Sequence, residues 1–277
     1  YSLETLKEDA KRHNVRVLNP NVNDSRHQSI VHNKSLLLGL LNVRSIGQDI
    51  ADVIVTERDL NGPFSSIANV MMRTGLKQEA FENLIDAGAL DSLSNVGALA
   101  RVSNSVPADA FVVARQPTVA QGLTSSSRRQ DRWEVGLRYR PKRNQLAMEL
   151  PVTQDMVELP ESTAWEIMEG EYRMMGIHPS SHFMSYLREQ LPHVTTSAKI
   201  WDKPDGTEVQ VAGLVVRRQR PQAKVYFLTL EDEFGHTPVL AQLDTYKRYR
   251  QVIREQALII TGIVSRREGT MNVVVRH

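Results

Sequence analysis

Two short turns carry the residues best suited to hold a phosphate. Arg44-Ser45-Ile46-Gly47 and Gly75-Leu76-Lys77 each precede a segment of helical periodicity. A tight turn at a helix start presents backbone N–H groups to an anion, whatever base that phosphate carries. Arg44 and Lys77 add positive charge beside Ser45, Gly47 and Gly75. A second group lies near the C-terminus, with Arg217, Arg218, Arg220 and Lys224 in one loop between strand-like segments and Arg266 and Arg267 in another. Tyr226 and Phe227 lie beside these loops, and a ring flanked by basic side chains suits a single nucleic-acid strand, whose bases stack. Strand neighbours face opposite ways, so one of the two rings points inward, and the sequence leaves open which.

Catalytic patterns are missing. The chain has no GxxxxGK[ST], GxGxxG, HExxH or GxSxG, and no cysteine. Nucleotide-cradling, zinc-protease and hydrolase readings lack support, and so do thiolate metal sites and disulfide scaffolds. Glu231-Asp232-Glu233 is dense enough in carboxylates to attract a metal, but it lies between two strands just before Gly235 and reads as a hairpin turn. His178 and His182 have the i, i+4 spacing of helical ligands, yet Pro179 stands between them and no third ligand is evident.

The elements that must position these groups follow from periodicity. Leu3, Leu6 and Ala10 share one face of a predicted helix capped by Ser2, and Val15-Arg16-Val17-Leu18 alternates as a strand. Residues 36–94 alternate apolar helical segments with Gly-containing turns: 48–55 with Ile50, Val53 and Ile54, then 65–72, then 78–86 closed by Gly88. Two short helices per small turn, occurring twice, describe paired helical hairpins. Residues 95–135 are rich in Ser, Pro and Gly and read as connection, while 163–172 and 183–188 read as short helices. From about residue 207 the period becomes two. Strands at 208–216, 224–232 and 238–243, a helix at 244–251 and strands at 257–264 and 271–275 form the order of a five-stranded OB-fold barrel. Gly213 and Gly262 suit its bends.

The 277 residues suggest two folded units, and 41% hydrophobic with 24% charged residues is an ordinary globular composition. No apolar run has the roughly 18 residues of a membrane helix. The chain begins Tyr1-Ser2-Leu3-Glu4 and reads as a piece of a longer polypeptide. Net charge is +2, but it is segregated: seven basic residues within 128–143, seven acidic ones within 145–172, and seven basic ones from Lys247 onward. Such blocks often mark faces that meet charged partners.

The chain resembles the C-terminal part of bacterial C-family (DnaE-type) DNA polymerases, most closely their error-prone, ImuC-like branch. The resemblance rests on residues 1–13, Gly62-Pro63-Phe64-Ser65-Ser66, residues 84–93, Arg128-Arg129-Gln130-Asp131-Arg132-Trp133-Glu134-Val135-Gly136, residues 211–221 and Leu228-Thr229-Leu230-Glu231-Asp232-Glu233-Phe234-Gly235. It implies an α+β multidomain chain: residues 1–35 closing the fingers, 36–94 a tandem helix-hairpin-helix module on duplex backbone, 95–199 a linker with short helices, and 200–277 an OB domain for single-stranded template. It further implies a translesion, damage-induced polymerase in the bacterial cytoplasm, with other translesion or replication proteins as partners. The catalytic palm and its Mg2+ are expected elsewhere in the parent, so this segment is expected to hold no cofactor and not to polymerise alone. Ser45 stands where the family's hairpin has its first glycine, and its side chain limits how closely phosphate approaches. The alternative is a non-catalytic module whose acidic 145–172 block and barrel recruit repair or replication proteins.

Overall fold

A barrel of five strands is built from alternating apolar residues, and each strand is paired on both sides. The computed structural model describes residues 3–93, 127–139, 157, 159–220, 225–267 and 269–276. The chain divides into two compact units, residues 1–14 with 178–277 and residues 15–177. These boundaries differ from the sequence divisions at 35, 94 and 199, because the first helix shares a unit with the barrel and part of the expected linker shares one with the helical hairpins.

In chain order the elements are α1 (Leu3–Arg12), β1 (Arg16–Leu18), β2 (Ile30–His32), β3 (Ser35–Leu37), α2 (Gln48–Asn61), α3 (Ile67–Thr74), α4 (Gln78–Asp86), α5 (Ser127–Arg138), α6 (Ala164–Met175), α7 (Phe183–Leu187) and α8 (Ser197–Ile200). They continue with β4 (Glu208–Gln219), β5 (Val225–Glu231), β6 (His236–Gln242), α9 (Leu243–Arg248), β7 (Ala257–Arg267) and β8 (Thr270–Val275).

In the helical unit, β3 pairs in parallel with β1 and antiparallel with β2. Asn33 and Lys34 both have positive φ, 48° and 62°, the conformation of a two-residue hairpin whose twist matches the strands. Strand β1 falls within the predicted strand at 15–18, whereas the β2–β3 hairpin has no sequence signal, because Asn-Lys lacks the glycine that usually announces such a turn. Leu40, Ile54, Phe81, Leu84, Ile85 and Leu90 are fully buried. The buried face of α2 is Ala51, Ile54, Val55 and Arg58, whereas Val53, expected on the apolar face, is 40% exposed. Arg58 takes the inward place by donating to the carbonyls of Val22 (3.0 Å) and Ser25 (2.8 Å). Helices α5 and α6 pack on α4. Thr163 and Glu166 close a capping box at the start of α6.

In the other unit the strand order is β4-β5-β6-β8-β7, closed by pairing of β7 with β4. Val209, Val211, Leu228, Leu230, Val239, Leu258, Ile260 and Val273 fill its interior. Helix α1 corrects the expected polarity: Leu3 and Leu6 are about half exposed, while Glu4, Lys7 and Glu8 are buried. Lys7 compensates for this burial by donating to Glu4 Oε1 (2.8 Å) and to the carbonyls of His178 (3.0 Å) and Ser181 (2.8 Å), with Glu8 Oε1 2.6 Å away. These acceptors offset the cost of taking the ammonium out of water.

The bends expected at Gly213 and Gly262 are close approaches. A Cβ on Gly213 would lie 2.6 Å from the carbonyl oxygen of Glu231, and one on Gly262 would lie 2.5 Å from that of Val274. Backbone atoms locked in a barrel cannot step aside. Gly213→Ala is therefore expected to destabilise the barrel unit by about 3 kcal/mol. Chemical denaturation checks this, and a midpoint equal to that of the parent chain would show that the barrel yields.

Candidate nucleic-acid interface

The two phosphate-suited turns have the same backbone shape. Ser45 and Gly75 both take the left-handed conformation, φ 62° and 59°. An apolar residue follows each, Ile46 (4% exposed) and Leu76, and anchors the turn. Gly47 and Lys77 then stand at the N-caps of α2 and α4 in extended conformation, and neither supplies a side-chain acceptor to the helix amides beyond it. The first turn has serine at the left-handed position and glycine at the cap, and the second has glycine at the left-handed position and lysine at the cap. Serine in that conformation is strained, and glycine is not.

The turns are held by their backbones, leaving the charged side chains outward. The Arg44 N–H donates to Met174 O (2.8 Å), and Arg44 O accepts from Asn83 of α4 (3.2 Å). Leu76 O accepts from the Tyr139 hydroxyl. Arg44, Ser45, Gly47, Gly75 and Lys77 are all exposed. Asp49 and Glu79 occupy the first turns of the same helices, where they favour the free helix and oppose an anion.

The barrel sorts its expected residues differently. Arg217 and Arg218 lie within β4, and Arg266 and Arg267 within β7, since both strands run past their predicted ends. Arg218 is occupied: it donates to the carbonyls of Ile253 (3.2 Å), Arg254 (3.2 Å) and Glu255 (2.6 Å). Arg266 is likewise occupied, donating to the carbonyls of Lys203 (3.0 Å) and Trp201. Arg217 and Arg267 are exposed. Arg220 lies over the Tyr246 ring, 5.4 Å from its centroid. Lys224 lies outside the described residues.

The aromatic pair is also settled. Tyr226 packs on the barrel core and stacks on Tyr246, with centroids 4.6 Å apart and planes at 22°. Phe227 faces outward into a groove on β5, β6 and β8, lined with Pro238, Leu240, Gly269, Thr270, Met271 and Asn272. The same groove is lined by Trp201, which follows α8 and which the strand pattern did not single out. Its only sequence signal was a lone tryptophan before the Lys203-Pro204 turn.

The carboxylate triplet and the histidines are structural. Asp232 accepts from the N–H groups of Ser197 (2.8 Å), Phe234 (3.0 Å) and Gly235 (3.1 Å), building the β5–β6 turn. Glu233 takes both N–H arms of Arg188 at 2.8 Å, which raises the Arg188 pKa. His182 is fully buried, and burial pushes its pKa down; its Nδ1 accepts from the Met184 N–H (3.1 Å). His178 Nε2 meets the hydroxyls of Tyr186 and Ser180, each at 2.8 Å. Among the described residues, no three His, Asp or Glu side chains gather to hold a metal.

Residues 14–98 match the helix-hairpin-helix motif family, and residues 209–277 match the OB-fold nucleic acid binding domain. Over its whole length the chain is 32% identical to an error-prone DNA polymerase of Nocardia farcinica and 31% identical to that of Mycolicibacterium paratuberculosis. The chain corresponds to a C-terminal region of DnaE-like polymerases. It spans 23% of the length of these relatives. Of solved structures, asparaginyl-tRNA synthetase from Pyrococcus horikoshii aligns over 30% of this chain and 22% of its own, at 26% identity and a TM-score of 0.26, too slight a likeness to carry an argument. In this DnaE-like region the helix-hairpin-helix match covers both turns, and the OB-fold match covers the barrel.

Proposed function

We propose that this region grips DNA for an error-prone polymerase, with the helical turns on duplex backbone and the barrel on single-stranded template. The observation that supports this most is the order of two nucleic-acid-type modules in one chain that aligns throughout with error-prone DNA polymerases. On this reading the parent acts in translesion repair in the bacterial cytoplasm, alongside other replication or repair proteins. Mg2+-assisted nucleotidyl transfer resides in other parts of the parent, and this chain binds without extending a primer.

The reading predicts a strand preference. A duplex hides its base faces, so a barrel that uses only phosphate charge would favour duplex, whereas one that stacks bases would favour single strands. The whole chain is expected to bind an oligothymidylate with an affinity that Phe227→Ala lowers by about fivefold to tenfold, within the range of one lost stacking contact. Duplex affinity should hardly change in that variant. Fluorescence anisotropy at matched salt measures both, and salt-independent binding to either form would favour the protein-docking alternative.

A further inference from the structure

We propose that Trp201, together with Phe227, forms a two-ring platform that takes one unpaired base of a single strand, and that Arg266 is the positioning residue that holds Trp201 at the groove. This rests on the single-strand reading of the barrel and extends it to a residue outside the strands. Trp201 is 50% exposed, an unusual state for the largest apolar side chain, and it shares with Phe227 a groove of about 610 Å³. That volume falls within the roughly 300–1,000 Å³ of small-ligand sites.

The segment carrying Trp201 is fixed to the barrel at several points. The Arg266 guanidinium caps the carbonyls of Trp201 and Lys203, and the Arg266 N–H donates to Asp205 Oδ1 (2.7 Å). Gly206 N–H donates to Val264 O (2.8 Å), and Val264 N–H donates to Thr207 O (2.9 Å). An exposed ring held this way binds without first losing backbone freedom.

The chemistry of the groove selects a nucleobase over an apolar peptide. Two aromatic rings with Leu240 and Pro238 give the groove an apolar lining, while Asn272 offers polar groups to a base edge and Thr270 Oγ1, which donates to Arg267 O, can still accept. Arg267 at the end of β7 is exposed and is the strand partner of Thr270, which lines the groove, so it adds positive charge beside that rim.

The test uses the full chain with three probes at equal salt: an oligothymidylate of about ten nucleotides, an abasic strand of equal length, and a duplex. Trp201→Ala should lower oligothymidylate affinity about tenfold, and Trp201→Phe, which keeps a ring, by less than about threefold, within the range of one base–aromatic stack. Abasic-strand and duplex affinities should stay as they are. Arg266→Ala should act like Trp201→Ala on oligothymidylate alone. In the unaltered chain, oligothymidylate should quench tryptophan fluorescence and the abasic strand should not, and Trp201→Phe should abolish that quenching while still binding; this readout holds even if Trp201→Ala folds poorly. Undiminished oligothymidylate binding by Trp201→Ala, or quenching that survives in Trp201→Phe, overturns the platform and leaves single-strand binding standing. Equal affinity of the unaltered chain for oligothymidylate and abasic strand overturns both. A platform that instead takes an apolar peptide would show as quenching by such a peptide and none by oligothymidylate.

Discussion

Arg44→Glu combined with Lys77→Glu is expected to weaken binding to every duplex by about tenfold or more at moderate salt. Each phosphate neutralised by a cation releases counterions, contributing about 0.9 to the slope of log affinity against log salt, so losing two contacts should flatten that slope by about 2. The variant should fold, because the turns are held by the Arg44 backbone and by Leu76 O while both charged side chains are exposed. Asp49→Asn with Glu79→Gln should act in the opposite direction, since both carboxylates stand in the first helical turns that would face the phosphates. Duplex titrations at several salt concentrations, with unrelated base sequences, measure all of this. A loss confined to one sequence would mean that the turns read bases, and an unchanged salt slope would mean that they do not touch the backbone.

Removal of the Arg128 side chain should be the most destabilising single change in the helical unit. Its guanidinium forks onto Asp91, at 2.9 Å and 2.7 Å, and reaches Glu171 Oε1 at 2.8 Å. Arg128 and Glu171 are both buried. Without the arginine, Glu171 loses this ion pair, while Asn19 Nδ2 still donates to its Oε1 at 2.6 Å. Breaking one side of a buried ion pair typically costs about 3–5 kcal/mol, whereas replacing both sides with neutral groups of similar size recovers much of it. Arg128→Ala should therefore lower the denaturation midpoint sharply, and Arg128→Met with Glu171→Gln should recover at least half of the loss. If the double variant is no better than Arg128→Ala, the damage comes from lost packing and not from stranded charge.

Arg128 also shows where linear reading stops. The basic run at 128–143 and the acidic run at 145–172 look in sequence like two faces awaiting charged partners. In the fold their described parts meet each other: Arg128 with Glu171, and Arg129 with Glu166 at 2.7 Å. Arg132 pairs with Asp86 (2.9 Å) and Arg138 with Glu134 (3.0 Å). A charge block reports only which residues lie together along the chain; whether it faces solvent depends on which helix packs beside it.

Local regularities were enough for α4, which spans the predicted residues 78–86, for the five barrel strands and their order, and for the two turns. Period two, period 3.6 and glycine placement are properties of neighbouring residues, so sequence alone determined them. It also determined that one of Tyr226 and Phe227 had to face the core. Tertiary structure decided that Phe227 is the outward one, because barrel closure sets which face of β5 meets the interior. It decided that Arg218 and Arg266 turn back to cap carbonyls brought close by the barrel's connections, and that α1 buries Glu4, Lys7 and Glu8 in place of its leucines. Each of these depends on partners dozens or hundreds of residues away. Whether a charged or aromatic side chain meets water, a carbonyl or an opposite charge is settled only when those partners arrive.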